Sequence, residues 1–535
     1  MRVLITETLD RSGLRVLQEH AEVDVRKGLS PEALREIMCE YDGLVVRSAT
    51  DVNAELLAAG AGRLRVVGRA GTGVDNIDVD AATRLGITVV NAPTANSNAV
   101  AEQTLALMLA LARRVHPAIT SLKAGRWEKG ALQGTEVKGK TLGLVGLGRI
   151  ARLVASKVRG LEMQVIAFDP YVGPEGAASS GVRLVELDDL LRQADYISVH
   201  TPLTSATQGL IGARELGLMK PGAYLVNCAR GGIIDEDALA EALKEGRIGG
   251  AALDVFEVEP ATDNPLVGLG NVIATPHLAG STAEAQEGVA VDVARAVVDV
   301  LAGRIPESPV NVPYLAPEAA ARLRPYVDLA ERLGSFFVQW RGTLANRLEL
   351  TYAGDLVEYD TRILTAAFLA GLLRPVCADP VNIVNASHVA AERGLTVSEV
   401  RRGCMEPFDS MIVAAFPDAE GETNASGTVI HGEPHLVGLD GQRLDCVAQG
   451  HMVADLHHDR PGIVGSMGRI LGEEDINISF VQMSRASKGG ASIMILGLDE
   501  SVPPAMMPRF LEVPGVQRVR SVVLPPFDGY VNGNH

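Results

Sequence analysis

The sequence predicts an α/β chain of several domains, with doubly wound parallel sheets first, a mixed α+β region next and a βαββαβ module last. Three observations carry this expectation. Through residue 282, short runs rich in Val, Ile and Leu alternate with stretches of helical period, the pattern of parallel strands joined by crossover helices. After "PVNVP" (309–313) that alternation stops. From residue 451 the elements follow the order βαββαβ, the ferredoxin-like arrangement.

The bulk properties set the frame. A chain of 535 residues is too long for one core, and three or four domains are expected. Hydrophobic residues make up 47% and charged residues 21%, a globular and not a disordered composition. The balance of 49 basic against 66 acidic residues, a net charge of −17, argues against nucleic acid or an anionic membrane as the main partner. Cys39, Cys228, Cys377, Cys404 and Cys446 show no paired spacing and read as free thiols of a reducing compartment, with no metal site. "MRVLITETLD" enters a strand directly, and the longest apolar helical run, "LALMLALA" (105–112), is too short to span a bilayer. A soluble, cytoplasmic protein is expected.

The elements follow in order. "RVLITE" opens the first layer, followed by a helix at 12–20, "GLVVRS" (43–48), a helix near 53–60, "LRVVGRA" (64–70) and "ITVVNAP" (87–93). A long apolar helix covers about 97–115. Six further strands come next: "KTLGLVGLG" (140–148), "QVIAFDP" (164–170), "YISVHTP" (196–202), "AYLVNCARGG" (223–232), "GAALDV" (250–255) and "NVIATPH" (271–277). With crossover helices they complete a doubly wound sheet. A helix at 282–303 leads out of it. Region 317–447 mixes helices and strands with few motifs. The terminal module then runs through "HMVADLHHD", a helix at 461–472, "NISFVQMSR", "ASIMILGLD", a helix near 502–511 and "VQRVRSVVL". The polar last ten residues, "PFDGYVNGNH", are expected to fray.

"GLVGLGRIARLVA" (143–155) places Gly146, Gly148 and Ala151 as G-x-G-x-x-A between a strand and a helix, a Rossmann-type dinucleotide turn. The first glycine permits the turn, and the second lets a diphosphate approach the backbone. The small third residue lets helix and strand pack closely, with phosphate charge at the helix N-terminus. Asp169 ends the next strand, 23 positions after Gly146. A carboxylate there accepts from ribose hydroxyls and repels a 2′-phosphate, so NAD is favoured over NADP.

Three later strand ends carry "NCARGG" with Arg230, "LDVFEVEP" with Asp254 and Glu259, and "TPHLAGST" with His277. A lone histidine at a strand end is commonly a satisfied core residue, but this one has partners. In an open α/β sheet the carboxyl ends of strands converge on the ligand crevice. Hydride transfer from a C–OH needs a base for the hydroxyl proton, and His277 suits that task. Glu259 can orient the ring and favour its protonated form. Arg230 can clamp a substrate carboxylate bidentately.

These motifs, with "GRAGTGVDNID" (68–78), "NAPTANS" (91–97) and "HTPLT" (200–204), resemble the D-isomer-specific 2-hydroxyacid dehydrogenases, in their long, 3-phosphoglycerate-oxidising branch. The resemblance covers essentially the whole chain, with the motifs in family order. It implies a flavodoxin-like split substrate domain at 1–97 and 283–313, and an NAD-binding domain at 98–282. An α+β intervening domain at 317–447 and an ACT regulatory domain at 451–525 would follow. It implies NAD-dependent oxidation of 3-phospho-D-glycerate to 3-phosphohydroxypyruvate, the first step of phosphorylated L-serine biosynthesis. Arg230, Glu259 and His277 match the family's catalytic residues. Thr72, Arg149, Ile150, Asp169, Thr201, Cys228, Ala229, Arg230, Asp254, and His277 through Ala279 and Gly280 match its cofactor contacts, Asp254 holding the nicotinamide carboxamide. Ala151 departs from the glycine of many relatives without disturbing NAD binding.

Within that family reading, Arg47 ends a substrate-domain strand and is assigned the substrate phosphate, and the amides of Thr72 and Gly73 form an anion nest for the carboxylate. "KAGRWEKG" (123–130) resembles a segment that reaches across a dimer interface, where Lys129 would add charge to the phosphate pocket; relatives often carry Arg there. In the ACT module, the loop Asp459 to Gly462 opens a helix and Asn477 begins the next strand. Helix N-terminal amides suit a carboxylate, and Asp459 with Asn477 suit an amino group and a hydroxyl, so L-serine is the expected effector of a homo-oligomer. Such modules also serve purely as assembly surfaces. Two other readings stand beside this one. A glyoxylate or hydroxypyruvate reductase is disfavoured by the tail domains and Arg47, and an NAD-sensing binding protein does not need the Arg/Glu/His set.

Overall fold

The computed structural model describes residues 1–315, 317–417, 424–485 and 487–527. They fall into two compact units, one made of residues 9–14 and 92–292, the other of 1–8, 15–91 and the described residues from 293 onward.

The second unit opens the chain with β1 (Arg2–Ile5), β2 (Glu22–Val25), β3 (Gly43–Val46), β4 (Val66–Arg69) and β5 (Thr88–Asn91). All pair in parallel in the order β2-β1-β3-β4-β5, the flavodoxin-like arrangement. The interior strands β3 and β4 are covered on both faces, which is why they read as nearly unbroken apolar runs. The sequence reading passes over β2. It is a short edge strand, "EVDV", whose charges face solvent and pair with Arg2, as edge strands require. Ser30, Asn53 and Asp78 each cap a helix by accepting a main-chain N–H three residues on, which sets where the crossovers begin.

The other unit holds β6 (Thr141–Val145), β7 (Gln164–Phe168), β8 (Arg183–Leu184), β9 (Tyr196–Val199), β10 (Tyr224–Asn227), β11 (Gly250–Leu253) and β12 (Val272–Ala274). They form one sheet in the order β12-β11-β10-β9-β6-β7-β8, all parallel. The sequence reading counts six strands here and the structure has seven; β8 is two residues long and leaves no periodicity to read. Successive residues alternate between two apolar clusters, with Val145, Ile197 and Leu225 in one and Leu144, Tyr196 and Val226 in the other. Strand order reverses around β6, between β7 and β9, the switch point where such sheets bind ligands.

Downstream lie β13 (Arg347–Gly354), β14 (Thr396–Arg402), β15 (Ser410–Ala415), β16 (Asn424–Ile430), β17 (Glu433–Leu439) and β18 (Gln442–Val447). Their order is β14-β13-β15-β16-β17-β18, antiparallel except for β13 with β14. The last sheet, β19 (Gly450–His458), β20 (Ile478–Arg485), β21 (Ala491–Leu498) and β22 (Val516–Leu524), is antiparallel in the order β20-β21-β19-β22. Helices Ile463–Gly472 and Met507–Leu511 complete the βαββαβ order. They cover the face carrying Val453, Met494, Leu496 and Val519.

The opposite face, with Met452, Ala454, Ile493, Ile495 and Val522, belongs to the same apolar cluster as Leu333, Phe336 and Phe337 of helix Pro317–Arg341. The two tail modules therefore share one core. Gln339 reinforces it by donating to the Val523 carbonyl and accepting from the Val523 N–H, at 3.0 and 2.9 Å. Arg332 donates to the carbonyls of Ala448, Pro525 and Pro526. Here the expectation of a frayed end is corrected for Pro526 and Phe527. Arg332 and Gln449 hold their main chain, while 528–535 lie outside the described residues. No helix among the described residues is long and apolar enough to cross a membrane.

Candidate active site

The glycine-rich turn joins β6 to helix Arg149–Arg159. Gly146 is required twice over. Its φ is +93°, and a Cβ would come within 3.0 Å of the His200 main chain. At Gly148, in contrast, a Cβ would meet nothing within 4 Å. The helix starts there without a side-chain cap, which suits a diphosphate at its first N–H groups. Ala151 is fully buried in the sheet–helix contact. Asp169 accepts from Leu147 N–H and Tyr171 N–H, both at 2.8 Å, which orients its carboxylate beside the turn. Arg149 donates to the Pro93 carbonyl, and Ile150 packs into the core. The Thr201 hydroxyl is buried with no partner among the described residues, and the methyl of the same residue stands where a Cβ on Gly146 would fall. An orphaned hydroxyl, an open helix start and an oriented carboxylate fit a dinucleotide.

His200 next to it is partly buried, and desolvation pushes its imidazole down to about 4, so it is neutral at physiological pH and hydrogen-bonded to Ser198. Burial likewise pushes the Cys228 thiol up to about 12. That side chain belongs to the apolar core.

The residues expected to be catalytic lie at the ends of β10, β11 and β12. His277 Nδ1 lies 2.9 Å from Glu259 Oε2, with both side chains partly open to solvent. The other oxygen of Glu259 accepts from Phe256 N–H at 3.1 Å, fixing the carboxylate from its own loop. His277 has φ +53°, a conformation most residues avoid. What holds it there is Asp254, whose side chain is fully buried. Its Oδ1 accepts from the Thr275 hydroxyl at 2.5 Å and Leu278 N–H at 2.8 Å, and its Oδ2 accepts from Ala279 N–H at 2.8 Å. Its carbonyl accepts His277 N–H at 2.9 Å. The sequence reading gives Asp254 a nicotinamide contact. The structure adds a task that reading lacks, because most of this carboxylate's accepting capacity is taken up by the loop bearing His277. Gly280, on the same loop, approaches the Asn96 amide closely.

Arg230 follows β10 in a turn closed by Asn227, whose side chain donates to the Arg230 carbonyl at 2.8 Å and accepts from Ala229 N–H at 3.0 Å. Asn227 and Thr275 are the residues the sequence reading missed. Asn as the last residue of a strand was a legible signal, since it closes such turns on its own backbone; nothing in the sequence marked Thr275.

The remaining expected residues lie elsewhere. Arg47 follows β3, its N–H donating to Glu7 at 2.8 Å and its guanidinium making only a long 3.4 Å bond to the Thr8 carbonyl. It has no carboxylate partner for its guanidinium among the described residues. Thr72 and Gly73 sit in the turn after β4, where Asn91 donates to the Thr72 carbonyl. Lys129 is exposed, and no described hydrogen bond or ion pair ties it to the catalytic residues.

In the terminal module, Asp459 accepts from Arg485 and Gly489 N–H, each at 3.1 Å, and these bonds, the main-chain one foremost, hold its carboxyl below the usual range. Asn477 donates to Asp499 instead. Asp459 thus meets the far end of β20 while Asn477 precedes its near end, about 25 Å apart at strand rise. The expectation that both lie together is corrected for a single chain. Gly462, φ +96°, begins helix Ile463–Gly472 with no side-chain cap.

Comparison with known proteins agrees with this geometry. Residues 105–279 match the D-isomer specific 2-hydroxyacid dehydrogenase NAD binding domain, 322–440 the D-3-phosphoglycerate dehydrogenase intervening domain, and 451–515 the ACT domain. The chain is 42% identical to the D-3-phosphoglycerate dehydrogenase of Methanocaldococcus jannaschii, over 98% of this chain and 100% of that protein. It is 39% identical to that of Bacillus subtilis, with the same coverage. Among solved structures, a glyoxylate reductase from Paecilomyes thermophila is similar at 30% identity and a TM-score of 0.54, covering 58% of this chain and 98% of that one. The D-lactate dehydrogenase of Escherichia coli is similar at 28% identity and a TM-score of 0.52, covering 58% of this chain and all of that one.

Proposed function

This chain belongs to the long D-3-phosphoglycerate dehydrogenase branch of the D-isomer-specific 2-hydroxyacid dehydrogenases, and on that premise we propose how its residues divide the work. The protein is an NAD-dependent dehydrogenase that oxidises 3-phospho-D-glycerate to 3-phosphohydroxypyruvate, the entry to phosphorylated L-serine biosynthesis. The single observation that carries the residue assignment is the His277–Glu259 pair at strand ends shared with Arg230.

Bound NAD supplies the hydride acceptor, held along Gly146–Ile150, Asp169 and Thr201. Because His277 Nδ1 faces Glu259, Nε2 is the atom that takes the substrate hydroxyl proton. The Glu259 carboxylate stabilises the imidazolium that results. Arg230 clamps the carboxylate beside the reacting carbon. Arg47 takes the phosphate, Thr72 and Gly73 add main-chain donors to the carboxylate, and Lys129 adds charge from a second copy of the chain.

We assign L-serine as effector, bound where Asp459 and Gly462 of one chain meet Asn477 of another; the separation of these residues along β20 supports a site shared between copies. A homo-oligomer is further supported by Val115, Ile119, Leu122 and Trp127, exposed apolar residues close in sequence, Trp127 at 83%. Five unpaired cysteines suit the reducing cytoplasm.

The test compares turnover of 3-phosphoglycerate with that of unphosphorylated D-hydroxyacids, in wild type and Arg47→Ala. A charge-assisted contact is worth about 1.5–3 kcal/mol, so the variant should lose about 10- to 150-fold on the phosphorylated substrate alone. Equal losses on both substrates would remove Arg47 from the phosphate site. Calorimetric titration with L-serine beside an activity assay tests the effector; no heat and no inhibition at millimolar serine would leave the ACT module as an assembly surface.

A further inference from the structure

Glu259 stands on a segment that needs outside support. Residues 257–260 are all exposed, Val258 at 72%, and no helix or strand runs through them. One carboxylate grips the longer stretch 257–264 at its two ends. Glu236 Oε1 accepts from Glu257 N–H at 2.6 Å, and Glu236 Oε2 accepts from the Asn264 side-chain amide at 2.6 Å. Asn264 in turn accepts from Leu266 N–H at 3.0 Å, so the clasp is anchored to the short helix that follows. On the other side, Glu236 is the first residue of helix Glu236–Lys244, which is capped by Asp235 and buries Leu239 and Leu243 in the core. A carboxylate in a first helical turn usually serves the helix dipole. Here both oxygens are aimed instead at the segment carrying Glu259. Gly231 packs beneath the same segment so closely that a Cβ would overlap the Phe256 carbonyl.

We propose that Glu236 is a positioning residue for the dehydrogenase reaction, clasping Glu257 and Asn264 so that Glu259 stays within hydrogen-bond reach of His277. The inference rests on the reading of Glu259 and His277 as the catalytic pair. A rigid helix thereby sets the geometry of an exposed loop, which catalysis requires to a fraction of an ångström.

The test is a double-mutant cycle on the full-length enzyme, reading kcat and both KM values for wild type, Glu236→Ala, Glu259→Ala and the double variant. Glu259→Ala alone must lower kcat, or the reading of the catalytic pair fails before the clasp is tested. Glu236→Ala should lower kcat by about tenfold with the KM for NAD unchanged, since a small misplacement of a reacting group is costly. In the Glu259→Ala background the same substitution should cost less than about twofold, because its only route to the chemistry is already gone. Glu236→Gln should fall between wild type and Glu236→Ala, its carbonyl still accepting from Glu257 while its NH₂ meets the Asn264 amide donor against donor. Should Glu236→Ala not fold, Asn264→Asp serves in the same cycle. It keeps the acceptor for Leu266 and sets one carboxylate against another across the clasp. An equal loss in both backgrounds, or no loss in the wild-type background, overturns the proposal.

Discussion

Asp254→Asn tests whether the loop bearing His277 is held by a buried charge. The substitution preserves shape and changes only acceptor capacity. An asparagine can keep its oxygen at the Oδ1 position, under the Thr275 hydroxyl and Leu278 N–H. Its NH₂ then faces Ala279 N–H at 2.8 Å, donor against donor. A charge-assisted bond worth about 1.5–3 kcal/mol is lost, and a buried N–H is orphaned at about 1–3 kcal/mol more. Together that is about 2.5–6 kcal/mol acting on one loop. His277 is held at φ +53°, a left-handed conformation that costs roughly 1–2 kcal/mol by itself. The loss exceeds that strain and supplies more than enough to let the loop relax. His277 then leaves Glu259, and kcat should fall by about 10²-fold, the usual consequence of an ångström-scale shift. Steady-state NADH formation reads the rate, and urea unfolding confirms that the variant is folded. Turnover close to wild type in a folded variant would show that the loop keeps its shape without the charge, and the positioning argument would be wrong.

His277→Ala should abolish most turnover, about 10²–10⁴-fold, while NADH binding measured by fluorescence titration stays close to wild type; wild-type turnover would return His277 to a structural role. Asp169→Ala should narrow the preference for NAD over NADP, read as the ratio of kcat/KM values, because both the ribose acceptor and the repulsion of a 2′-phosphate disappear. His200 predicts a pH dependence of stability. Burial lowers it from 6.5 to about 4, so between those values the unfolded chain binds the extra proton. The contribution is fully present above about pH 6.5 and is lost as pH falls to about 4, about 3 kcal/mol in all. Urea midpoints should drop across that window, and a His200→Asn variant that keeps the same drop would assign it to other groups. Deleting residues from 450 onward should expose the apolar face around Leu333 and Phe336 and leave the remainder prone to aggregation, visible by light scattering.

Motifs built from neighbouring residues were legible without coordinates. The turn at Gly146 and Gly148 is local, because left-handed φ and the absence of a side chain are properties of single positions. Parallel strands buried on both faces announce themselves as apolar runs, so β3, β4, β6 and β9 could be placed from composition alone. Edge strands could not: β2 carries charges, and β8 is two residues long. Arg230, Glu259 and His277 could be named because three strand ends of one parallel sheet must point the same way.

Everything that depends on distance between remote segments waited for the tertiary structure. Asp254 binding the loop 24 residues on, and Glu236 reaching Asn264, are contacts that no periodicity encodes. Asp459 and Asn477 look adjacent in sequence logic, yet a fully extended β20 puts a strand length between them. The core shared by the two tail modules was equally hidden. Alternation along β19 says that each face is apolar, but which neighbour covers each face is settled only by packing, with helices Ile463–Gly472 and Met507–Leu511 on one side and helix Pro317–Arg341 on the other.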